Sequence, residues 1–214
     1  MTTQKLYLSS FSQTQGQAKI THIEDGEKPL IRLDQTWFHA QGGGQKADKG
    51  TINGVSVVHV AHNNSEVDHY VESIESFVVG QEVDLIVDED WRLINGKYHL
   101  AGHLIAALIE NMFPDIRAIG GHHWPGEARI ELRGNLPENK QLEELLSNAL
   151  KTAIEADLPV YICGDPFSNR SIGIGEFMPV PCGGTHPEHL GILETVKITK
   201  VKTQKDKLKV SYRV

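Results

Sequence analysis

The chain is poor in cysteine, in positive charge and in long apolar runs, and each shortage excludes something. Two cysteines in 214 residues, Cys163 and Cys182, rule out a disulfide-stapled scaffold and leave each thiol for packing or ligation. No apolar stretch reaches the ~20 residues that a membrane-crossing helix needs, so no membrane partner is expected. The opening Met1-Thr2-Thr3-Gln4-Lys5 lacks the apolar core of a secretory leader. Together with the scarce cysteine, it leads us to expect a reducing, cytoplasmic setting. Lys and Arg number 21 against 28 Asp and Glu, a net charge of −7. That balance excludes indiscriminate attraction to nucleic acid, which requires a concentrated positive field. The glycine cluster Gly42-Gly43-Gly44-Gln45 carries neither the Walker lysine nor the dinucleotide spacing, so no nucleotide cofactor is expected.

What is present is unevenly spread. Residues 197–209 hold Lys197, Lys200, Lys202, Lys205, Lys207 and Lys209 against Asp206 alone, a local +5 that leaves −12 for the remainder. The run reads first as a solvated edge strand protected against sheet-to-sheet pairing. A local RNA-backbone patch is the alternative.

Residues 1–88 read as all-β. The β-prone runs Lys5–Ser10, Gln17–Ile23, Val55–Ala61 and Glu82–Asp88 are separated by turns such as Glu24-Asp25-Gly26, which predicts a small barrel or sandwich. The pattern changes after Asp88-Glu89-Asp90. From Lys97 to Phe113 the chain is apolar nearly all round and stops at Pro114, which predicts a buried helix. Pro137 opens a second helical pattern carried by Leu142, Leu145, Leu146, Ala149, Leu150, Ala153 and Ile154 up to Pro159. Residues 116–133, 158–163, 171–180 and 192–213 read as strands. The expectation is an α+β chain of two domains, 1–88 and 89–214.

The chemistry sits in two short spacings. His99 and His103 lie at i and i+4 of the predicted helix, on one face and about one turn apart. Cys182 and His186 flank the loop Cys182-Gly183-Gly184-Thr185-His186-Pro187, whose glycines permit close backbone approach. A surface turn has no reason to place Cys and His at its flanks. Three imidazoles and one thiolate favour zinc over magnesium or calcium. A purely structural zinc is the competing reading, since four protein ligands close a tetrahedron; His186, beyond the loop, is expected to be the loosest ligand. The glycine cluster is either a plain turn or a loop that brings the amides of Gly42, Gly43 and Gly44 and the Gln45 side chain towards a substrate. Of His122, His123 and Trp124, alternation along a strand lets at most one histidine face the metal, so pocket lining is the role expected. Cys163 reads as a buried small hydrophobe.

His99-x-x-x-His103 followed by Pro181-Cys182-Gly183-Gly184-Thr185-His186 resembles the editing domain shared by alanyl- and threonyl-tRNA synthetases. Leu33-Asp34-Gln35-Thr36-Trp37-Phe38 with Gly42-Gly43-Gly44-Gln45-x-x-Asp48-x-Gly50 is similar to the glycine-rich region that precedes that domain in alanyl enzymes. The pattern is closest to the free-standing alanyl-tRNA editing proteins, the AlaX group, in their medium-length form with an N-terminal barrel.

The resemblance implies a small N-terminal β-barrel and an α+β editing domain. It implies a zinc-dependent deacylase acting in trans on mischarged Ser-tRNA(Ala) or Gly-tRNA(Ala), with His99, His103, Cys182 and His186 as ligands. Thr36 would handle the serine hydroxyl and Gln45 would approach the aminoacyl end. Lys97, Arg117, Arg129, Lys197, Lys200 and Lys202 are the candidates for gripping tRNA. Two departures bear on substrate choice: His39-Ala40-Gln41 replaces the usual proline and acidic residue, and Leu100 stands where threonine is common. The alternatives are threonyl-type editing of another mischarged tRNA, a non-catalytic RNA-binding module with structural zinc, and a generic metallohydrolase acting on small esters.

Overall fold

The computed structural model describes residues 2–134, 139–204 and 207–214 of a mixed α+β chain. Contacts divide it into two compact units. One comprises the residues up to Gly42 with Lys46–Leu93, the other Gly43–Gln45 with Ile94–Val214. The division thus differs from the expected one at residue 88. It falls inside a helix and hands Gly43–Gln45 to the second unit, because Gly44 and Gln45 bond to His123, His99 and Thr185 there.

The first unit is built from β1 (Gln4–Lys5), β2 (Gln15–Glu24), β3 (Leu30–Leu33), β4 (Gln35–Thr36), β5 (Gly50–Ile52), β6 (Val55–Asn63), β7 (Glu66–Val71) and β8 (Glu82–Val87). Six of these pair in a closed ring, β2-β3-β7-β6-β5-β8, antiparallel throughout. β8 shows how the sequence specifies its register: Val83, Leu85 and Val87 are buried while Glu82, Asp84 and Ile86 face out. Ile20, Ile31, Leu33, Val60 and Val67 fill the inside. The strand expected over 5–10 is instead the two-residue β1, parallel to β4, and a 3₁₀ turn at Leu6–Leu8 that buries Tyr7.

Helix α1 (Glu89–Met112) begins eight residues before the sequence pattern indicates. Asp88 Oδ1 accepts the Trp91 N–H at 2.9 Å, and Glu89 and Asp90 complement the positive helix end. The apolar pattern misses this turn because Arg92, a charged residue, is buried in it. From Asn95 to Glu110 no position is exposed. Pro114 ends the helix.

The second unit continues with β9 (Arg117–His122), β10 (Arg129–Arg133), α2 (Asn139–Glu155), β11 (Val160–Cys163), β12 (Ser171–Ile174), β13 (Val180–Pro181), a 3₁₀ turn at Leu190–Leu193, β14 (Lys197–Gln204) and β15 (Lys207–Arg213). Its sheets run β14-β15-β10-β9 and β11-β12-β13. Leu142, Leu146 and Leu150 give α2 a buried i, i+4 stripe, and Leu145 lies outside it, half exposed. The stripe joins Leu100, Leu104, Ile105, Leu132 and Val210 in one core. Each such fully buried side chain contributes roughly 1.5–3 kcal/mol. Pro137, expected to open this helix, lies outside the described residues, as do Lys205 and Asp206. No helix of the described residues is long and apolar enough to cross a membrane.

Candidate metal centre

The ligating atoms of His99, His103, Cys182 and His186 all lie within 4.8 Å of one another. Helix α1 supplies the two histidines from one face, one turn apart. The loop after β13 supplies the thiol and the third imidazole. Cys182 Sγ stands 3.6 Å from His99 Nε2 and 3.6 Å from His186 Nε2. Tetrahedral zinc with ordinary bond lengths separates sulfur and nitrogen by about 3.6 Å, so the donor set and its spacing fit that ion. His186 is as near the thiol as His99 is, and it is buried; nothing in this geometry singles it out as the loosest ligand.

The cluster has its own support. Gln45, buried on the glycine-rich loop, accepts from His99 Nδ1 at 2.7 Å and from the Thr185 N–H at 3.0 Å through Oε1. Its Nε2 donates to Thr185 Oγ1 at 2.7 Å. Gly184 permits this packing, since a Cβ there would stand 2.2 Å from His99 Cε1. Gly44, with φ of +78°, lets its own backbone approach β9: a Cβ would lie 2.5 Å from the Gly121 carbonyl. The Arg170 guanidinium donates to the Cys182 carbonyl, a contact that no spacing in the sequence reveals.

Electrostatics favour the ligating form of the imidazoles. Burial, reinforced by the Arg170 charge, pushes His103 down to about 4, and burial with His103 and His122 pushes His123 to about 3. Neutral imidazole is the form that binds a metal. Burial pushes the Cys182 thiol up, opposed by the Gly184 N–H and Arg170; a cation reverses that balance, because coordination deprotonates a thiol.

A cleft of about 760 Å³ opens onto the cluster. Gly43, His99, His103, Arg117, His123 and Cys182 are among its lining residues. His123 stacks on His99 with ring centroids 4.6 Å apart, whereas His122 packs against Trp124. So one histidine of the adjacent pair reaches the cleft.

The other candidates fall elsewhere. Gly42 and Thr36 belong to the first unit. Thr36 is fully buried, its Oγ1 2.8 Å from His69 Nε2 and accepting the Phe38 N–H at 3.1 Å. Asp48 of the glycine motif is paired with Arg92. Lys97 lies on α1, 3.4 Å from Glu194. Arg117, Arg129, Lys197, Lys200 and Lys202 all lie on the four-stranded sheet. Cys163, expected buried, is only half-buried on β11.

Residues 4–91 match the family model described as tRNA synthetases class II (A). The chain is 31% identical to the alanyl-tRNA editing protein AlaX-M of Pyrococcus horikoshii, covering 97% of both chains. It is 28% identical to AlaX-L of the same organism over 86% of this chain and 51% of that one. Alanine–tRNA ligase of Methanococcus vannielii is 26% identical over 95% of this chain and 25% of its own length. At 31% identity along nearly the whole length of AlaX-M, this chain belongs to the AlaX family of alanyl-tRNA editing proteins.

Proposed function

We propose that the protein is a zinc-dependent aminoacyl-tRNA deacylase that acts in trans, in the cytoplasm, on mischarged Ser-tRNA(Ala) or Gly-tRNA(Ala). One observation carries the reading: four metal-ligand side chains converge at a cleft of nucleoside-accommodating size. An aminoacyl ester is already activated, so the protein need not supply a nucleophile. Zinc, when bound, supplies a Lewis acid for the ester and acidifies water. His99, His103, Cys182 and His186 would hold the ion; Gln45 orients His99 directly and holds the loop before His186 through Thr185. Burial of the cluster excludes bulk solvent from its inner side.

Thr36 is the proposed reader of the serine hydroxyl, as the family resemblance implies. That role requires Oγ1 to exchange His69 Nε2 for the substrate. A site built to pair a hydroxyl rejects an analogue that lacks one, which accounts for serine over alanine; glycine needs a limit on size instead.

The register of the four-stranded sheet supports a tRNA partner. Residues paired directly across strands share a face. Lys202, Lys209 and Glu131 form one row; Lys207, Arg133 and Arg117 form the next. Lys197 with Arg213, Lys200 and Arg129 extend the same face. Glu131 is the one carboxylate among these paired residues, held 3.2 Å from Lys209. Such a field suits phosphates, and β9 at its edge also lines the cleft. This favours the RNA-backbone reading of the lysine run over simple edge protection.

The test is release of labelled serine from Ser-tRNA(Ala), with Ala-tRNA(Ala) as control, for wild type, Cys182→Ala and zinc-stripped protein. Selective release lost on both changes supports the reading. A folded, zinc-loaded protein that releases nothing overturns it; binding of tRNA without hydrolysis would then mark a structural zinc, and release from another mischarged tRNA a threonyl-type editor.

A further inference from the structure

Two hydrogen bonds fix the proton on a buried imidazole that the deacylase reading leaves without a task. Tyr212 donates its hydroxyl proton to the Tyr98 carbonyl at 2.8 Å, a partner that can only accept. The same oxygen lies 2.6 Å from His123 Nδ1. With the hydroxyl proton committed, Nδ1 must be the donor. In the neutral ring His123 is therefore the Nδ1–H tautomer, and Nε2 keeps its lone pair.

That lone pair belongs to a ring that lines the cleft beside His99 and His103. Among the described residues, no protein group bonds to Nε2. Glycine clears the space around it. A Cβ on Gly121 would stand 2.3 Å from Nε2, and one on Gly102 would stand 2.3 Å from Cε1. A side chain at 121 would press on the Nε2–Cε1 edge of the ring and displace the acceptor. The His99 ring, stacked 4.6 Å away at 19°, ties the position of His123 to that of the metal centre.

We propose that His123 Nε2 accepts a hydrogen bond from the aminoacyl end of the substrate, from its α-ammonium or from the ribose hydroxyl beside the ester. Tyr212 is the positioning residue that holds this nitrogen unprotonated. The proposal rests on the deacylase reading and adds to it the group that orients the ester at the metal.

The probe is seryl-adenosine with the ester oxygen replaced by NH, which resists hydrolysis. Its binding to zinc-loaded wild type, His123→Phe, His123→Gln, Tyr212→Phe and Gly121→Ala is measured alongside zinc content. Loss of one hydrogen bond in a desolvated cleft corresponds to roughly a 10- to 100-fold weaker Kd, expected for His123→Phe and Gly121→Ala with zinc content unchanged. His123→Gln, which offers an acceptor, recovers part of this loss. Tyr212→Phe loses several-fold, and combining it with His123→Phe adds nothing further. Nitrogen NMR of labelled histidine should show Nε2 without a proton in wild type and a tautomer mixture in Tyr212→Phe.

Probes that lack the α-ammonium or the 2′-hydroxyl identify the donor, because sensitivity to His123→Phe disappears with one of them. Sensitivity that survives both, a wild-type-like Kd for folded His123→Phe, or a protonated Nε2 in wild type overturns the proposal. Failure of the deacylase reading looks different: wild type itself then does not bind the probe, and both ideas fall.

Discussion

Gln45 Oε1 accepts from His99 Nδ1 at 2.7 Å and from the Thr185 N–H at 3.0 Å, so one buried amide joins the helix half of the donor cluster to the loop half. The bond makes His99 the Nδ1–H tautomer and leaves Nε2 to face the Cys182 thiol. Removing the acceptor strands two buried donors and frees the ring to turn. Gln45→Leu is expected to weaken zinc binding by roughly 10- to 100-fold, read by competition with a chelator of known affinity. Gln45→Glu keeps an acceptor for both donors, and the Thr185 hydroxyl can donate to its second oxygen; part of the affinity should return. Equal losses in the two variants would show that the amide merely fills space.

The four side chains of the donor cluster were legible in the sequence, and the groups that support them were not. Spacings of four residues on a helix and across a glycine loop announce His99 with His103 and Cys182 with His186, because both are local. Gln45 is 54 residues from His99 and 140 from Thr185, and His123 is 89 from Tyr212; no local pattern encodes such pairs. The strands divide in the same way. β8 alternates and is readable, whereas β7 buries Asp68 and His69 side by side and erases the period of two. Tyr7 shows a third cause: a run of strand-prone residues became a 3₁₀ turn because burying that ring outweighed local propensity.

The basic face makes tRNA binding depend on salt in a particular way. Each phosphate contact contributes about 0.7–0.9 to the slope of log K against log salt. Lys207→Gln with Lys209→Gln should therefore flatten the slope by up to about 1.8 and weaken tRNA binding several-fold at moderate salt. Zinc content and binding of a small aminoacyl-nucleoside analogue should not change. A slope unaltered by the pair would return the lysines to the role of edge protection.

Asp48 and Arg92 form a buried pair, each 1% exposed. Arg92 Nη2 and Nε donate to Asp48 Oδ2 at 2.5 and 2.9 Å, and the guanidinium also donates to the carbonyls of Phe11 and Trp37. Asp48 in turn accepts the His39 N–H at 2.7 Å. Asp48→Ala leaves a guanidinium buried without its counter-charge, at an expected cost of about 3–5 kcal/mol in urea unfolding. Changing both residues, to Leu and Met, should cost less than Asp48→Ala alone. An additive double variant would mean that the pair is not coupled.

Acid should destabilise the first unit before its carboxylates titrate, through two buried histidines. His69 donates Nδ1–H to the Ile31 carbonyl at 3.3 Å and accepts from Thr36 at Nε2, so a second proton would meet a hydroxyl already pointing at it. Burial lowers His69 to about 4, against the pull of Asp68. His39, between Asp48, Arg92 and the Lys46 carbonyl, is likewise lowered to about 4, chiefly by burial. Both titrate near 6.5 once unfolded. Above that pH neither state binds the proton, and the two contribute no dependence. As pH falls from 6.5 towards 4 the unfolded chain takes up protons that the native state refuses, so stability falls by up to roughly 1.4 kcal/mol per pH unit for each histidine. Below about 4 their contribution levels off. Urea midpoints of zinc-loaded protein at pH 7.5, 6.5, 5.5 and 5.0 should decline across the lower three. His62, lowered in the same direction by burial, adds to the trend. The variant His39→Gln/His69→Gln should show a shallower decline, whatever its stability at pH 7.5. A decline as steep as in wild type would assign the acid sensitivity to other groups.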